Sequence, residues 1–356
     1  MPQIISVSKI DFPYKTSQSN LKDFAKKVFS ENYKDIDRLL ESFDNAKINC
    51  RNLCVPVDFF CSQKSFHERN DLYIQYSLKY SVDAIEKCLR DSGVGKKEIT
   101  DIVFISTTGI STPSIDALIV NQLRLNPNVN RTPVWGLGCA GGVAGIAKAN
   151  TIARANPDAL VLLVAVELCS LTFIRSDLSK SNFIATGLFS DGVSAALIKG
   201  DSYRSENKPE FEINIVDSQS KLYYDSLDVM GWDILDEGFK VVFSKDIPAI
   251  VKANVKEDIL CFLKKHNLKI GDIKNFITHP GGVKVINAYI DALEINPDLL
   301  FNTKEVLKDY GNMSSTTVLY VLEKFMKNGF EEGYGLMMSL GPGFSSEMVL
   351  LEIVKS

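Results

Sequence analysis

A plan written twice limits the fold of this chain more than any other feature. Residues 83–109, "DAIEKCLRDSGVGKKEITDIVFISTTG", and residues 257–281, "EDILCFLKKHNLKIGDIKNFITHPG", share one order. Each reads as an amphipathic helix, a polar turn, an Asp-Ile pair, an apolar strand and a loop ending in glycine. Cys139 then follows Gly109 at nearly the distance at which Asn312 follows Gly281, and each opens a helix-like segment, "GCAGGVAGIAKAN" and "GNMSSTTVLYVLEKF". A unit this long that occurs only twice is no solenoid repeat, so two similar halves packed together explain it. The polar stretch "GDSYRSENKPEFE" from Gly200 supplies the seam, dividing residues 1–205, which carry Cys139, from residues 206–356, which carry His279 and Asn312.

The remaining segments fit an α/β layered protein. "IISVSKIDF" reads as a strand, "NLKDFAKKVFS" and "KDIDRLLESF" as helices, and "DLYIQYSLKYSVDAIEKCLRDSG" from Asp71 as a long amphipathic helix closed by Gly93. The longest apolar run, "ALVLLVAVELC" from Ala159, is too short to span a bilayer and reads as a buried strand. With 356 residues the chain can bury a deep pocket, and a net charge of -4 offers no field for a polyanion, so nucleic acid is not an expected partner. Seven scattered cysteines suit a reduced, cytoplasmic setting. Cys50 and Cys54 form a CxxxC with no second pair at zinc spacing, so no metal is expected.

Three residues fall at carboxyl ends of strands or at helix starts, where parallel sheets place their chemistry. Cys139 sits among glycines before a helix, whose N-terminus favours a thiolate over the ordinary thiol of pKa about 8.5. His279 ends the strand "NFIT" and precedes a rigid Pro-Gly-Gly turn, whereas His266 ends a helix and His67 lacks a strand-end setting. Asn312 opens the corresponding helix of the second half. Each has a plain structural alternative: a packing cysteine, a core histidine, an N-cap asparagine. Pseudo-twofold halves would give Cys139 and Asn312 equivalent positions with His279 beside them. A thiol nucleophile with two hydrogen-bond donors suits acyl transfer and carbanion chemistry.

Six segments in one order, "GLGCAGG", "ELCSLTF", "LFSDGVSAAL", "THPGG", "YGNMSS" and "SLGPGFSSEMVLLE", cover nearly the whole chain. With them the sequence resembles the type III polyketide synthases, the chalcone-synthase-like branch of the thiolase superfamily. "PVWGLGCAGG" and "DVMGWD" bring it nearest to the bacterial alkylpyrone-forming members. The resemblance implies a five-layered αβαβα thiolase fold of two pseudo-twofold halves, a homodimer, and no cofactor beyond coenzyme A thioesters. It implies that Cys139 holds the acyl chain from an acyl-CoA starter, while His279 and Asn312 polarise malonyl-CoA as it loses carbon dioxide. Phe189 matches a gatekeeper phenylalanine, and Thr107, Thr108, Thr172 and Ser314 match cavity-lining positions. Val241 stands where plant enzymes have a second gatekeeper phenylalanine, which should widen the passage, and Trp232 stands near a position that is small in those enzymes. Arg38, Lys47 and Arg51 are candidate coenzyme A cations. A ketoacyl synthase III, which makes one extension, and an inactive acyl-binding paralogue are the competing readings.

Overall fold

The computed structural model describes residues 1–204, 209–244 and 247–356, so the expected seam between 205 and 206 lies outside the described residues. In the first half the chain runs β1 (Gln3–Lys9), β2 (Tyr14–Ser17), α1 (Gln18–Phe29), α2 (Ile36–Asn45), β3 (Cys50–Leu53) and α3 (Phe66–Ser92). It continues through β4 (Asp101–Ile105), α4 (Ile115–Leu123), β5 (Asn130–Val134), α5 (Gly141–Ala155), β6 (Leu160–Leu168), α6 (Lys180–Leu188) and β7 (Asp191–Lys199). The second half runs β8 (Phe211–Leu222), β9 (Met230–Leu235), β10 (Gly238–Phe243), α7 (Ile247–Lys264), β11 (Ile273–Thr278) and α8 (Val283–Leu293). It closes with α9 (Phe301–Tyr310), α10 (Thr317–Asn328), β12 (Gly333–Gly341) and β13 (Ser345–Lys355).

Nine of these strands hydrogen-bond in the order β11-β12-β13-β8-β1-β7-β6-β4-β5. That order is a mirror: from the β8/β1 centre outward, each side has two antiparallel steps and then a parallel one, β12 with β11 and β6 with β4. Only β5, parallel to β4, lacks a counterpart. Where the sides meet, β1 and β8 share just two residue pairs, Gln3 with Asn214 and Ile4 with Ile213.

Side-chain alternation sorts the core into layers. In β4 and β6, Val103, Ile105, Val161 and Leu163 join a central cluster with Val143 and Ile146 of α5 and with Val318 and Leu322 of α10. Ile277, Met337 and Val349 reach the same cluster from β11, β12 and β13. The opposite face of the first half, with Ile102, Phe104 and Leu162, packs against Ala84 and Ile85 of α3 and Ile119 of α4. Phe276, Leu336 and Leu350 pack against Val255 and Phe262 of α7 and Tyr289 of α8. Helices therefore lie outside each half-sheet and between them, which is the five-layered αβαβα thiolase architecture.

The doubled plan survives as local structure. In each half a 3₁₀ turn precedes the strand, Lys96–Glu98 and Ile270–Asp272, and each is closed by its own carboxylate. Glu98 accepts from the Gly95 N–H at 2.6 Å and Asp272 from the Lys269 N–H at 2.7 Å. Gly93 caps α3 in the left-handed region at φ +73°, as expected. The helix begins at Phe66 rather than near Asp71, because Ser65 and Glu68 form a reciprocal capping box. No helix among the described residues is long and apolar enough to cross a membrane.

Candidate active site

Cys139 lies in the 3₁₀ turn Gly138–Ala140 directly ahead of α5, and it is 7% exposed. The glycines around it are packing requirements. A Cβ on Gly142 would stand 2.2 Å from the Ser315 carbonyl oxygen, and one on Gly138, at φ +45°, would stand 2.6 Å from Pro342. Without side chains there, the start of α5 rests on the start of α10 and on the β12–β13 turn.

The expected equivalence of Cys139 and Asn312 is not what joins them. The counterpart turn before α10 is Ser314–Thr316, and its middle residue, matching Cys139, is Ser315. Asn312 precedes that turn and enters the site through an isolated bridge to Phe189. Its N–H donates to the Leu188 carbonyl at 3.0 Å, and its carbonyl accepts from the Ser190 N–H at 2.9 Å. The carboxamide donates to the Gly281 carbonyl at 3.3 Å and accepts from the Ser314 N–H at 2.8 Å. The carboxamide and the Ser314 hydroxyl both stand near enough to Cys139 to favour its thiolate.

His279 follows β11, its N–H donating to the Met338 carbonyl at 2.9 Å, and the Gly281 N–H returns to the His279 carbonyl at 3.0 Å. The imidazole is 3% exposed, and neither ring nitrogen has a partner among the described residues. Two unpaired polar atoms held in a buried ring are costly unless something else supplies their hydrogen bonds.

Burial works against the thiolate expected at this helix start. It pushes the Cys139 thiol up to about 12, against the smaller opposing effect of Ser314 and Asn312, with nearby Glu167 raising it further. It pushes the His279 imidazole down to about 3. Desolvation therefore favours the neutral thiol and the neutral imidazole, and it opposes the pull of the helix N-terminus toward a thiolate.

Glu167 escaped sequence reasoning, although a lone charge inside the apolar β6 was its signal. Fully buried, it accepts from the Ser315 hydroxyl at 2.6 Å and the Thr107 N–H at 3.1 Å, and desolvation raises its carboxyl to about 7. Thr107 and Thr108 stand behind the site rather than lining a cavity. The Thr107 hydroxyl accepts from the Gly138 N–H at 3.0 Å, and that of Thr108 from the Leu168 N–H at 2.9 Å.

Two cavities adjoin at Phe189, Trp232 and Val241. The smaller, about 340 Å³, contains Cys139 and Ser314 and is also lined by Met230, Phe243 and Pro342. The larger, about 620 Å³, includes Thr172 and Cys169. Val241 does not simply widen the passage: Trp232 pairs with it across the β9–β10 hairpin, and the Phe243 ring stacks on Phe189 at 5.5 Å. A strand repeats its facing every second residue, so Phe243 presents an aromatic ring to the same space. Arg38 and Lys47 are exposed, on α2 and just after it. Arg51, unlike the other two candidates, is 1% exposed and borders the larger cavity.

Comparison with known proteins assigns the whole architecture. Residues 59–202 match the N-terminal domain of chalcone and stilbene synthases, and residues 214–355 match the C-terminal domain. A Bacillus subtilis (strain 168) protein with a provisional chalcone synthase name is 43% identical, over 98% of each chain. A 1,3,6,8-tetrahydroxynaphthalene synthase of Streptomyces peucetius subsp. caesius is 33% identical, over 95% of this chain and 90% of that one. Among solved structures, the C-terminal type III polyketide synthase domain of Steely1 from Dictyostelium superposes with a TM-score of 0.91 at 26% identity, covering 99% of both chains. The 1,3,6,8-tetrahydroxynaphthalene synthase of Streptomyces coelicolor A3(2) shares the fold with a TM-score of 0.93 at 24% identity, over 99% of this chain and 100% of that one.

Proposed function

The chain belongs to the chalcone and stilbene synthase family, and from that premise we propose how this type III polyketide synthase works and what it makes. The acyl group of an acyl-CoA starter moves to the Cys139 sulfur, with His279 taking the thiol proton and passing it to the coenzyme A thiolate, which leaves as the free thiol. Malonyl-CoA then enters; as carbon dioxide departs, charge gathers on its thioester oxygen, where the His279 N–H and the second Asn312 amide hydrogen donate. The enolate carbon attacks the carbonyl of the Cys139 thioester, and the C–S bond breaks with the Cys139 sulfur leaving as thiolate. The chain, two carbons longer, is carried as the coenzyme A thioester until it returns to Cys139. The observations that carry this reading are the Asn312 carboxamide and Ser314 hydroxyl standing near enough to Cys139 to favour its thiolate, and a buried imidazole at the end of β11 whose nitrogens have no partner among the described residues. Coenzyme A thioesters serve as substrates, and no further cofactor takes part.

The starter is a fatty acyl-CoA and the product an alkylpyrone or alkylresorcinol. The larger cavity, reached past Phe189, supports this through its apolar lining by Leu21, Phe24, Leu53, Phe60, Phe173 and Ile174. Exposed Arg38 and Lys47 are the candidate contacts for coenzyme A phosphates. A homodimer is part of the proposal, supported by the neighbouring Ile110 and Trp135, each 48% exposed. The division between residues 1–205 and 206–356 rests on the mirrored strand order.

Mass spectrometry of products from malonyl-CoA with a panel of short- to long-chain acyl-CoA starters tests the reading. Pyrones or resorcinols bearing long alkyl tails are expected. A naphthalene product, of the kind the Streptomyces relative is named for, formed with no acyl-CoA starter added would replace the fatty starter. One extension on acyl carrier protein would instead assign ketoacyl synthase III chemistry.

A further inference from the structure

Arg51 is a fully buried cation with no carboxylate partner among the described residues. Its Nη1 donates to the carbonyls of Thr186 and, at 3.2 Å, Phe189, while Nε and Nη2 have no partner among those residues. The guanidinium carbon lies 6.0 Å from the centroid of the Phe43 ring. Thr186 belongs to the last turn of α6, so the carbonyls that hold the cation are those at the negative end of a helix. Burial without an anion pushes the guanidinium down to about 9. A chain that keeps an unpaired charge in its interior gains something from the contacts the charge makes.

Those contacts converge on the site. The Phe189 carbonyl belongs to the segment that bridges Asn312. Gly311, immediately before Asn312, has φ +73° and lies so close that a Cβ would stand 2.9 Å from Arg51 Cγ. Strand β3 is fastened to the same segment on the far side of Phe189, with the Asn52 N–H donating to the Ser190 hydroxyl at 2.9 Å and the Cys54 N–H to Asp191 at 2.7 Å. One side chain thus sets the backbone on both sides of the Phe189–Asn312 bridge.

We propose that Arg51 is a positioning residue, which fixes the backbone at Phe189 and Gly311 and so holds the Asn312 carboxamide over the reacting thioester. The inference rests on the reading of Asn312 as a donor to malonyl-CoA, and the test separates the two. Steady-state decarboxylation of malonyl-CoA is measured for Arg51→Met, Arg51→Lys, Asn312→Ala and the double variant Arg51→Met/Asn312→Ala, with thermal melting to confirm folding. Arg51→Met is expected to lower kcat about 10- to 100-fold, the scale of a misplaced catalytic group, with KM for malonyl-CoA within about twofold. Arg51→Lys keeps the charge but not the planar fork, and should fall between; it decides the question if Arg51→Met does not fold. The double variant should be no slower than Asn312→Ala alone, because the two act on one carboxamide. A raised KM with kcat unchanged would make Arg51 a coenzyme A ligand and overturn the inference, as would additive losses. If Asn312→Ala itself decarboxylates normally, the reading of Asn312 fails instead.

Discussion

Replacing Gly142 by alanine puts two opposite effects in competition. Gly142 is in the first turn of α5, where alanine is the better helix former by about 1 kcal/mol. The added methyl, however, would stand 2.2 Å from the Ser315 carbonyl oxygen and 2.6 Å from Val318 Cγ1, neither of which is the end of a long flexible side chain. Reaching an ordinary contact of 3.4 Å requires about 1 Å of separation between the starts of α5 and α10. Overpacking of this kind costs about 1–3 kcal/mol, so the clash outweighs the propensity and the protein should melt a few degrees lower. The same displacement moves Cys139 away from Asn312 and Ser314, and a 1 Å error in a reacting pair costs about 100-fold. Product formation should therefore fall far more than stability. Gly271→Ala, where a Cβ meets nothing within 4 Å, is the control and should match the parent in both. Thermal melting with a malonyl-CoA decarboxylation and product assay measures the pair. Full activity and an unchanged melting temperature in Gly142→Ala would refute the claim that close helix contact sets the site geometry.

Cys139→Ala should abolish product, while His279→Ala and Asn312→Ala should each lose about 2.7–4 kcal/mol of transition-state stabilisation in malonyl decarboxylation; normal decarboxylation in both would remove their role as donors. Iodoacetamide should label exposed Cys61 and Cys261 first, and inactivation through Cys139 should accelerate about tenfold per pH unit from about pH 7 to 10, since the buried thiol is pushed up to about 12. A rate independent of pH below about 8 would reveal a standing thiolate–imidazolium pair instead. Glu167, raised to about 7 by burial, binds a proton in the folded protein at pH values where the unfolded chain has lost it. Its contribution is fully present below the unfolded value near 4.5 and is lost as pH rises through about 7, a window worth on the order of 3 kcal/mol. Denaturant titrations of wild type and Glu167→Gln should diverge across that window, and parallel profiles would show that the carboxyl is already ionised in the folded state.

The doubled plan of residues 83–109 and 257–281 made the mirrored halves legible, because helix spacing, turn carboxylate and apolar strand are all local properties. The glycine run around Cys139 likewise pointed to a close approach. Other features depend on contacts between distant segments. Asn312 reaches the site by a bridge to Phe189 and not by symmetry with Cys139, which no spacing along the chain could distinguish. Arg51, with Lys47 and Arg38, reads as part of a basic surface cluster, and only its place beneath the end of α6, bonded to the Thr186 and Phe189 carbonyls, reveals that it is buried. The charge states of Cys139 and His279 escaped for the same reason. A helix start is visible in sequence, whereas the depth of desolvation that opposes it is a property of the assembled layers. Phe243 supplies the ring absent at Val241, two positions along the same strand face, beyond the reach of position-by-position matching.

The mirror in the strand order also has a temporal meaning. A chain leaving the ribosome that stops before β8 already possesses the sulfur, yet Ser314, Asn312 and His279 have not been made, and the glycine-lined turn has no α10 to lie against. Competence to form carbon–carbon bonds therefore cannot precede the docking of the late-synthesised half onto the early one. Until then Cys139 lacks the contacts with α10 and the β12–β13 turn against which its glycines lie, so the docking that completes the site is also what encloses its nucleophile.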